Sequence, residues 1–228
     1  MSNSNDYSDG YCQRVQASQA FIGNRHQFFI RLKAEHFLDL SSRHVGDPAK
    51  LKILDFGCGI GLAAAVLAEK VAQYHGIDIS QSGIERARAA VPQGQFISYE
   101  GKTLPYRDNA FDAAFSMCVF HHIPPQQWTG AAGELMRVVR PGGLVALFDH
   151  NPWNPLTRLA VARCDFDQDA TLLRAGKAEE LLRGGDCRIV QKRFILLTPF
   201  DGKLWRWLDF SLGNLPLGAQ YCIAATRH

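Results

Sequence analysis

Residues 51–61, LKILDFGCGIG, run a short apolar strand into three glycines spaced two apart, and no other stretch constrains the fold as much. Leu51, Ile53, Leu54 and Phe56 form an apolar run that glycines stop, the pattern of a strand buried on both faces of a parallel sheet. The alanine-rich segment 62–71 predicts a helix after the turn. A strand–glycine turn–helix unit offers backbone N–H groups and a helix N-terminus at the carboxyl end of the strand, where a polar part of a ligand can sit. Gly57, Gly59 and Gly61 can take positive φ and let a ligand approach the main chain. The next strand, 74–79, ends in Asp78, at the distance past the glycines where a carboxylate meets a ribose diol in nucleotide-binding α/β folds. The spacing G-x-G-x-G departs from the dinucleotide fingerprint G-x-G-x-x-G/A, because Leu62 follows Gly61 directly, and this argues against NAD.

The chain of 228 residues, 46% of them apolar, fits one domain with a substantial core. A net charge of +3 with mixed signs and no Lys/Arg run disfavours nucleic acid as partner. The six cysteines, Cys12, Cys58, Cys118, Cys164, Cys187 and Cys222, show no CxxC spacing and read as free thiols of a reducing compartment. The polar start MSNSNDYSDG and the lack of a long apolar run predict a cytoplasmic protein without a signal peptide or membrane span.

Further along, 19–40 has an approximately helical period, and Ser80 reads as the N-cap of a helix over 83–90. Strands are predicted over 95–99 and 113–119, then a helix over 126–139, a tight turn at 140–143 and a fifth strand over 144–148. Beyond that strand stands DHNPWNP, residues 149–155, a concentration of polar and aromatic groups at the edge where α/β sheets bind ligands. Helices over 155–163 and 175–183 and strands over 188–197 and 219–226 complete the pattern. His121 and His122 are adjacent, so their side chains are expected to diverge rather than share a metal ion, and no metal site is expected.

LDFGCGIG, GIDIS, GKTLPYRDNAFDAAFSMCVFHHI and RVVRPGGLVALFDH, in this order, resemble the class I S-adenosylmethionine-dependent methyltransferases of the type 11/12 kind. The resemblance spans about 51–150. It implies an α/β, Rossmann-like three-layer sandwich: a seven-stranded, mostly parallel sheet with helices on both faces and the last strand antiparallel between strands five and six. It also implies one domain, with 1–50 as a helical lid, 51–150 as the cofactor-binding core, 151–176 as an insertion shaping the acceptor site and 177–228 as the rest of the sheet.

The implied cofactor is S-adenosylmethionine. Asp55, Gly57, Cys58, Gly59 and Gly61 would surround its methionine part, and Asp78 and Ile79 its ribose and adenine. Glu100 and Gly101 would meet the adenine amino group and ring, though aspartate is usual at the first of these positions. Ser116, Met117 and Cys118 would line the methionine side. The implied reaction moves a methyl group to a small-molecule acceptor and leaves S-adenosylhomocysteine, by a monomer or homodimer. The alternative is a protein that binds the cofactor as a regulatory or accessory subunit without turnover.

In-line methyl transfer needs alignment and exclusion of water more than an enzyme nucleophile, and a hydroxyl acceptor also needs a base. His150 is the first candidate for that base and His121 the second. Tyr11, His150, Asn151 and Trp153 are the candidate acceptor contacts, with Arg25 a lid contact; capping of the next helix is the other reading of Asn151 and Asn154.

Overall fold

The computed structural model describes residues 24–164, 167, 170–184, 186–197, 202, 207–208 and 211–228. Seven strands form one sheet: β1 (Lys52–Phe56), β2 (Gln73–Asp78), β3 (Gln95–Ser98), β4 (Phe111–Met117), β5 (Val139–His150), β6 (Cys187–Ile195) and β7 (Gln220–Arg227). Their order is β3-β2-β1-β4-β5-β7-β6, with β1 to β5 parallel and β7 antiparallel to both β5 and β6. This is the expected sandwich, including the reversed last strand.

Helices α1 (Asn24–His44), α2 (Ala64–Leu67) and α3 (Gln81–Ala90) cover one face, and α4 (Trp128–Val138) and α6 (Ala175–Arg183) the other; α5 (Pro155–Ala162) follows β5. Two apolar clusters result. Phe37, Leu67, Ile84 and Phe115 belong to the first, and Leu54, Leu135, Leu182 and Ile223 to the second. Both faces are covered because the parallel crossovers carry helices to each side, which is why β1 and β4 read as apolar runs without alternation.

The helix expected over 62–71 is shorter, with α2 followed by a 3-10 turn at Ala68–Lys70. Gly61 at φ +83° belongs to the turn, which delays the start of the helix. The expected tight turn at 140–143 lies inside β5 as a bulge: pairing jumps from Phe111 opposite Val139 to Ala113 opposite Leu144. A Cβ at Gly143 would stand 2.5 Å from the Asp112 carbonyl oxygen, so the bulge needs glycine there. Asp112 holds this end of the sheet, accepting from Arg140 Nε at 2.7 Å and from the Lys52 N–H at 2.8 Å. Ser80 caps α3 as its sequence implied, its hydroxyl accepting from the Gly83 N–H at 3.1 Å.

The strand order reverses between β1 and β4, so their carboxyl ends open a crevice, where ligands bind open α/β sheets. Helix α1 packs beside it, with Phe37 4.6 Å from Phe115 between ring centroids. Among the described residues no helix is long and apolar enough to cross a membrane.

Candidate active site

One half of the crevice is built from backbone. At the end of β1, Gly57, Gly59 and Gly61 all have positive φ, at +77°, +52° and +83°. At Gly57 a Cβ would stand 2.4 Å from Val119 Cγ2, so the chain passes against the β4 side only because that position is bare. Asp78, at the end of β2, accepts from the Gly59 N–H at 2.8 Å and from the Ser80 N–H at 2.9 Å. The carboxylate thereby fixes the glycine turn relative to the next strand. Burial raises its pKa, and the two N–H donors oppose that rise.

A cavity of about 950 Å³ opens over these groups, lined by Gly57, Asp78, Ile79, Glu100 and Gly101 on one side and by Val119, His122 and Ala131 on the other. Ile79 is 71% exposed toward solvent, an unusual state for an isoleucine at a strand end. The volume lies in the range of cofactor pockets. A carboxylate at a strand end, an apolar wall and bare glycine backbone suit the ribose, adenine and methionine parts of S-adenosylmethionine, so the residues present fit that cofactor.

The other half is built from side chains that arrive from five elements. Cys118, just past β4, is held at φ +59°, a left-handed conformation uncommon for a residue with a side chain. Its Sγ accepts from Lys33 Nζ of α1 and from Gln220 Nε2 of β7, both at 3.3 Å. Lys33 is 3% exposed, so its side chain is buried beside the strand ends.

Gln220 Nε2 also lies 3.4 Å from His150 Nδ1, and the His150 ring is 4.9 Å from that of His121. His121 Nδ1 is 2.5 Å from Asp149 Oδ1, with both side chains almost fully buried. Burial alone would lower the pKa of His121, but the Asp149 carboxylate and then Asp167 raise it. Burial and the neighbouring His121 charge push His150 down to about 4, so it is neutral near pH 7. Three buried polar atoms here, Ser116 Oγ, Asp149 Oδ2 and Gln220 Oε1, lack a partner among the described residues.

A family model described as a methyltransferase domain matches residues 54–147, from β1 through most of β5. A methyltransferase of Synechocystis, itself uncharacterised, is 30% identical over 176 residues, 70% of this chain and 83% of that protein. The chain belongs to the methyltransferases. It is an enzyme of that family.

The methyltransferase is also similar to 24-methylenesterol C-methyltransferase 2 of Oryza sativa subsp. japonica, 30% identical over 155 residues, 63% of this chain. It spans only 40% of that rice protein, and about two fifths of several other relatives. The solved structure of magnesium protoporphyrin IX methyltransferase from Synechocystis, with bound S-adenosylhomocysteine, superposes with a TM-score of 0.69 at 15% identity. The match covers 98% of this chain and 97% of that one, and shows the shared fold.

Of the residues singled out from sequence, the methyltransferase brings Gly57, Asp78, Ile79, Glu100 and Gly101 to one cavity. Gly59 and Gly61 lie in the same turn, and Ser116, Met117 and Cys118 end β4 beside it. Asp55 and Cys58 are buried. The Tyr74 hydroxyl donates to Asp55 Oδ2 at 2.5 Å, and burial raises the Asp55 pKa to about 7.

Asn151 is completely buried, which corrects its expected acceptor contact: its amide donates to the Pro216 and Gly218 carbonyls and accepts from the Trp153 N–H. Those bonds tie the end of β5 to the chain before β7. Asn154 caps α5 through the Thr157 N–H, as the second reading of DHNPWNP supposed.

His121, the second candidate base, has both ring nitrogens facing carboxylates, Nδ1 on Asp149 at 2.5 Å and Nε2 toward Asp167 at 3.5 Å. Contrary to expectation, His121 and His122 do not diverge. In the 3-10 turn Phe120–His122 their rings lie 4.1 Å apart and both face Asp167. Trp153 is 67% exposed and carries the Arg174 guanidinium 5.5 Å over its ring. Tyr11 and the Arg25 side chain lie outside the described residues.

Sequence reasoning missed Lys33, Asp149, Asp167 and Gln220 as members of the site. Only Asp149, inside DHNPWNP, carried a local signal; the other three stand in ordinary helical, loop and strand contexts.

Proposed function

We propose that this methyltransferase acts on a small-molecule acceptor held beside the carboxyl ends of β4 and β5, with His150 taking the proton when the acceptor atom is a hydroxyl oxygen. The observation that carries this reading is the set of buried, unsatisfied polar atoms, Ser116 Oγ, Asp149 Oδ2 and Gln220 Oε1, around a neutral His150 next to the cofactor cavity. Buried polar atoms without partners mark places where a ligand can complete the bonding.

Bound S-adenosylmethionine supplies a sulfonium methyl group for in-line displacement. Asp78 would accept from its ribose hydroxyls, Glu100 and Gly101 would hold the adenine, and the turn at 57–61 would hold the methionine part. Ser116, Met117 and Cys118 close the side toward β4. Trp153, exposed beyond β5, offers an apolar face to the acceptor, and the segment 151–176 shapes its entrance. The names of the rice and Synechocystis relatives specify small molecules, a sterol and a metalloporphyrin, and support an acceptor of that size. The scarcity of basic clusters supports the same choice over nucleic acid.

The test starts with calorimetric titration of S-adenosylmethionine, S-adenosylhomocysteine and NAD, and continues with an acceptor screen that follows release of S-adenosylhomocysteine. Binding of the two sulfur nucleotides alone, followed by turnover on a hydroxylated small molecule, is expected. His150→Ala should then lower kcat by about 10²–10⁴-fold and leave cofactor affinity unchanged. Turnover confined to protein or nucleic acid acceptors would overturn the reading, and unchanged kcat in the variant would remove His150 from it.

A further inference from the structure

The pair His121 and His122 does more than flank the cavity. His121 Nε2 lies 3.5 Å from Asp167 Oδ1, and His122 Nε2 lies 3.4 Å from the same oxygen. The three ligand atoms are all within 4.8 Å of one another. Charge-assisted N–H···O⁻ bonds close to about 2.7–2.9 Å, and neither contact does so. Two ligand atoms that share a tetrahedral ion at about 2.0–2.2 Å each stand about 3.3–3.6 Å apart. Both nitrogen-to-oxygen separations match that edge.

The surroundings fit as well. His121 uses Nδ1 on Asp149 at 2.5 Å, which turns Nε2 toward Asp167 and fixes the tautomer a metal ligand requires. A carboxylate behind the ligating imidazole is the usual support of protein metal sites, orienting the ring and raising its basicity. Asp149 is itself held by the His150 N–H at 2.7 Å. Burial is graded in the right direction: His121 is 1% exposed, the Asp167 side chain 11% and the His122 side chain 30%, leaving an approach from the His122 side.

We propose that His121 Nε2, His122 Nε2 and an Asp167 oxygen form a binding site for a divalent first-row transition ion of the zinc class, with Asp149 as the supporting carboxylate. Two imidazoles and one carboxylate suit Zn²⁺, Co²⁺ or Fe²⁺ and are too rich in nitrogen for Mg²⁺ or Ca²⁺. Three protein ligands leave at least one coordination position open. Because His122 lines the 950 Å³ cavity, that position borders the space used by cofactor and acceptor. A hydroxyl acceptor could then coordinate and lose its proton more readily, a consequence that rests on the acceptor reading above, whereas the site itself does not.

The test needs neither cofactor nor acceptor. Purified full-length protein, treated with chelator and dialysed, is titrated with Co²⁺ while visible absorption is followed, and with Zn²⁺ in a calorimeter. One equivalent of Co²⁺ with the intense d–d bands of a four- or five-coordinate nitrogen and oxygen site is expected, displaced by Zn²⁺. His122→Ala and Asp167→Asn should each abolish the bands, and Asp149→Asn should weaken Zn²⁺ binding by about 10–100-fold. Far-UV circular dichroism and a cooperative thermal transition verify that each variant is folded. Absence of saturable Co²⁺ and Zn²⁺ binding by the folded protein, or binding unchanged in the His122 and Asp167 variants, overturns the site. Failure of the acceptor screen alone leaves these outcomes readable and strikes only the proposed function.

Discussion

The two halves of the crevice solve the same problem with different materials. On the β1–β2–β3 side the ligand surface is main chain: a glycine turn, strand ends and one carboxylate that bonds two backbone N–H groups. On the β4–β5–β7 side it is side chains, with Lys33, Cys118, Asp149, His150 and Gln220 converging from positions up to 102 residues apart for one bonded pair. A backbone cradle suits the cofactor proposed for it, whose shape does not change from one enzyme to the next. A side-chain cluster can be rebuilt residue by residue, and this suits the acceptor, which differs between enzymes.

The sharpest way to break the comparison is Gly59→Val. If the first half is a backbone device, valine at φ +52° both strains the turn and blocks the approach, and cofactor affinity should fall by about 100-fold or more in calorimetry. Near-native affinity would show that side chains carry that half too. Asp78→Ala comes next, with an expected loss of about 1.5–3 kcal/mol in cofactor binding, since it removes the proposed ribose acceptor and the brace on Gly59 together.

Asn151→Ala probes the other half. It should cost about 1–3 kcal/mol of folding stability in urea titration, by leaving the buried Pro216 and Gly218 carbonyls short of donors, while cofactor affinity stays put. A loss of acceptor binding without loss of stability would restore Asn151 to the acceptor contacts.

Asp55 tests whether the backbone half also hides a charge. Its folded pKa, raised to about 7 from 3.8, means that the native state holds a proton the unfolded chain has released, so its contribution to stability is complete below pH 3.8 and is lost as pH rises through 7. Asp55→Asn should therefore gain on the wild type between pH 4 and 7, by a few kcal/mol at most, and level off above. A gap that does not change with pH would mean that the carboxyl is ionised in the fold. The smallest effect is expected of Trp153→Ala, an exposed ring: a several-fold rise in acceptor KM with cofactor affinity unchanged, measured by release of S-adenosylhomocysteine.

Legibility followed the same division. Glycine spacing, an apolar strand and Asp78 one strand later are local patterns, and so are the Ser80 cap and the apolar runs that became β1 and β4. The sandwich and the glycine–carboxylate turn were therefore open to reading. The histidine pair was misread because side-chain divergence was argued for a strand or helix, whereas the chain makes a 3-10 turn there, and Asp167 draws both rings together. Asn151 was misread because polarity at a strand end suits a ligand and a buried loop tie equally well, and only its partners decide.

The sequence by itself determined the strand order's raw material and the glycine–carboxylate cradle, because short-range spacing fixes which backbone groups meet at a turn. Only the tertiary structure decided that Lys33 and Gln220 meet at Cys118, that Asp149 backs His121 and that Asp167 faces two imidazoles. Those contacts exist because β7 inserts antiparallel beside β5 and α1 packs across the edge, and burial then selects partners by proximity in space rather than in sequence.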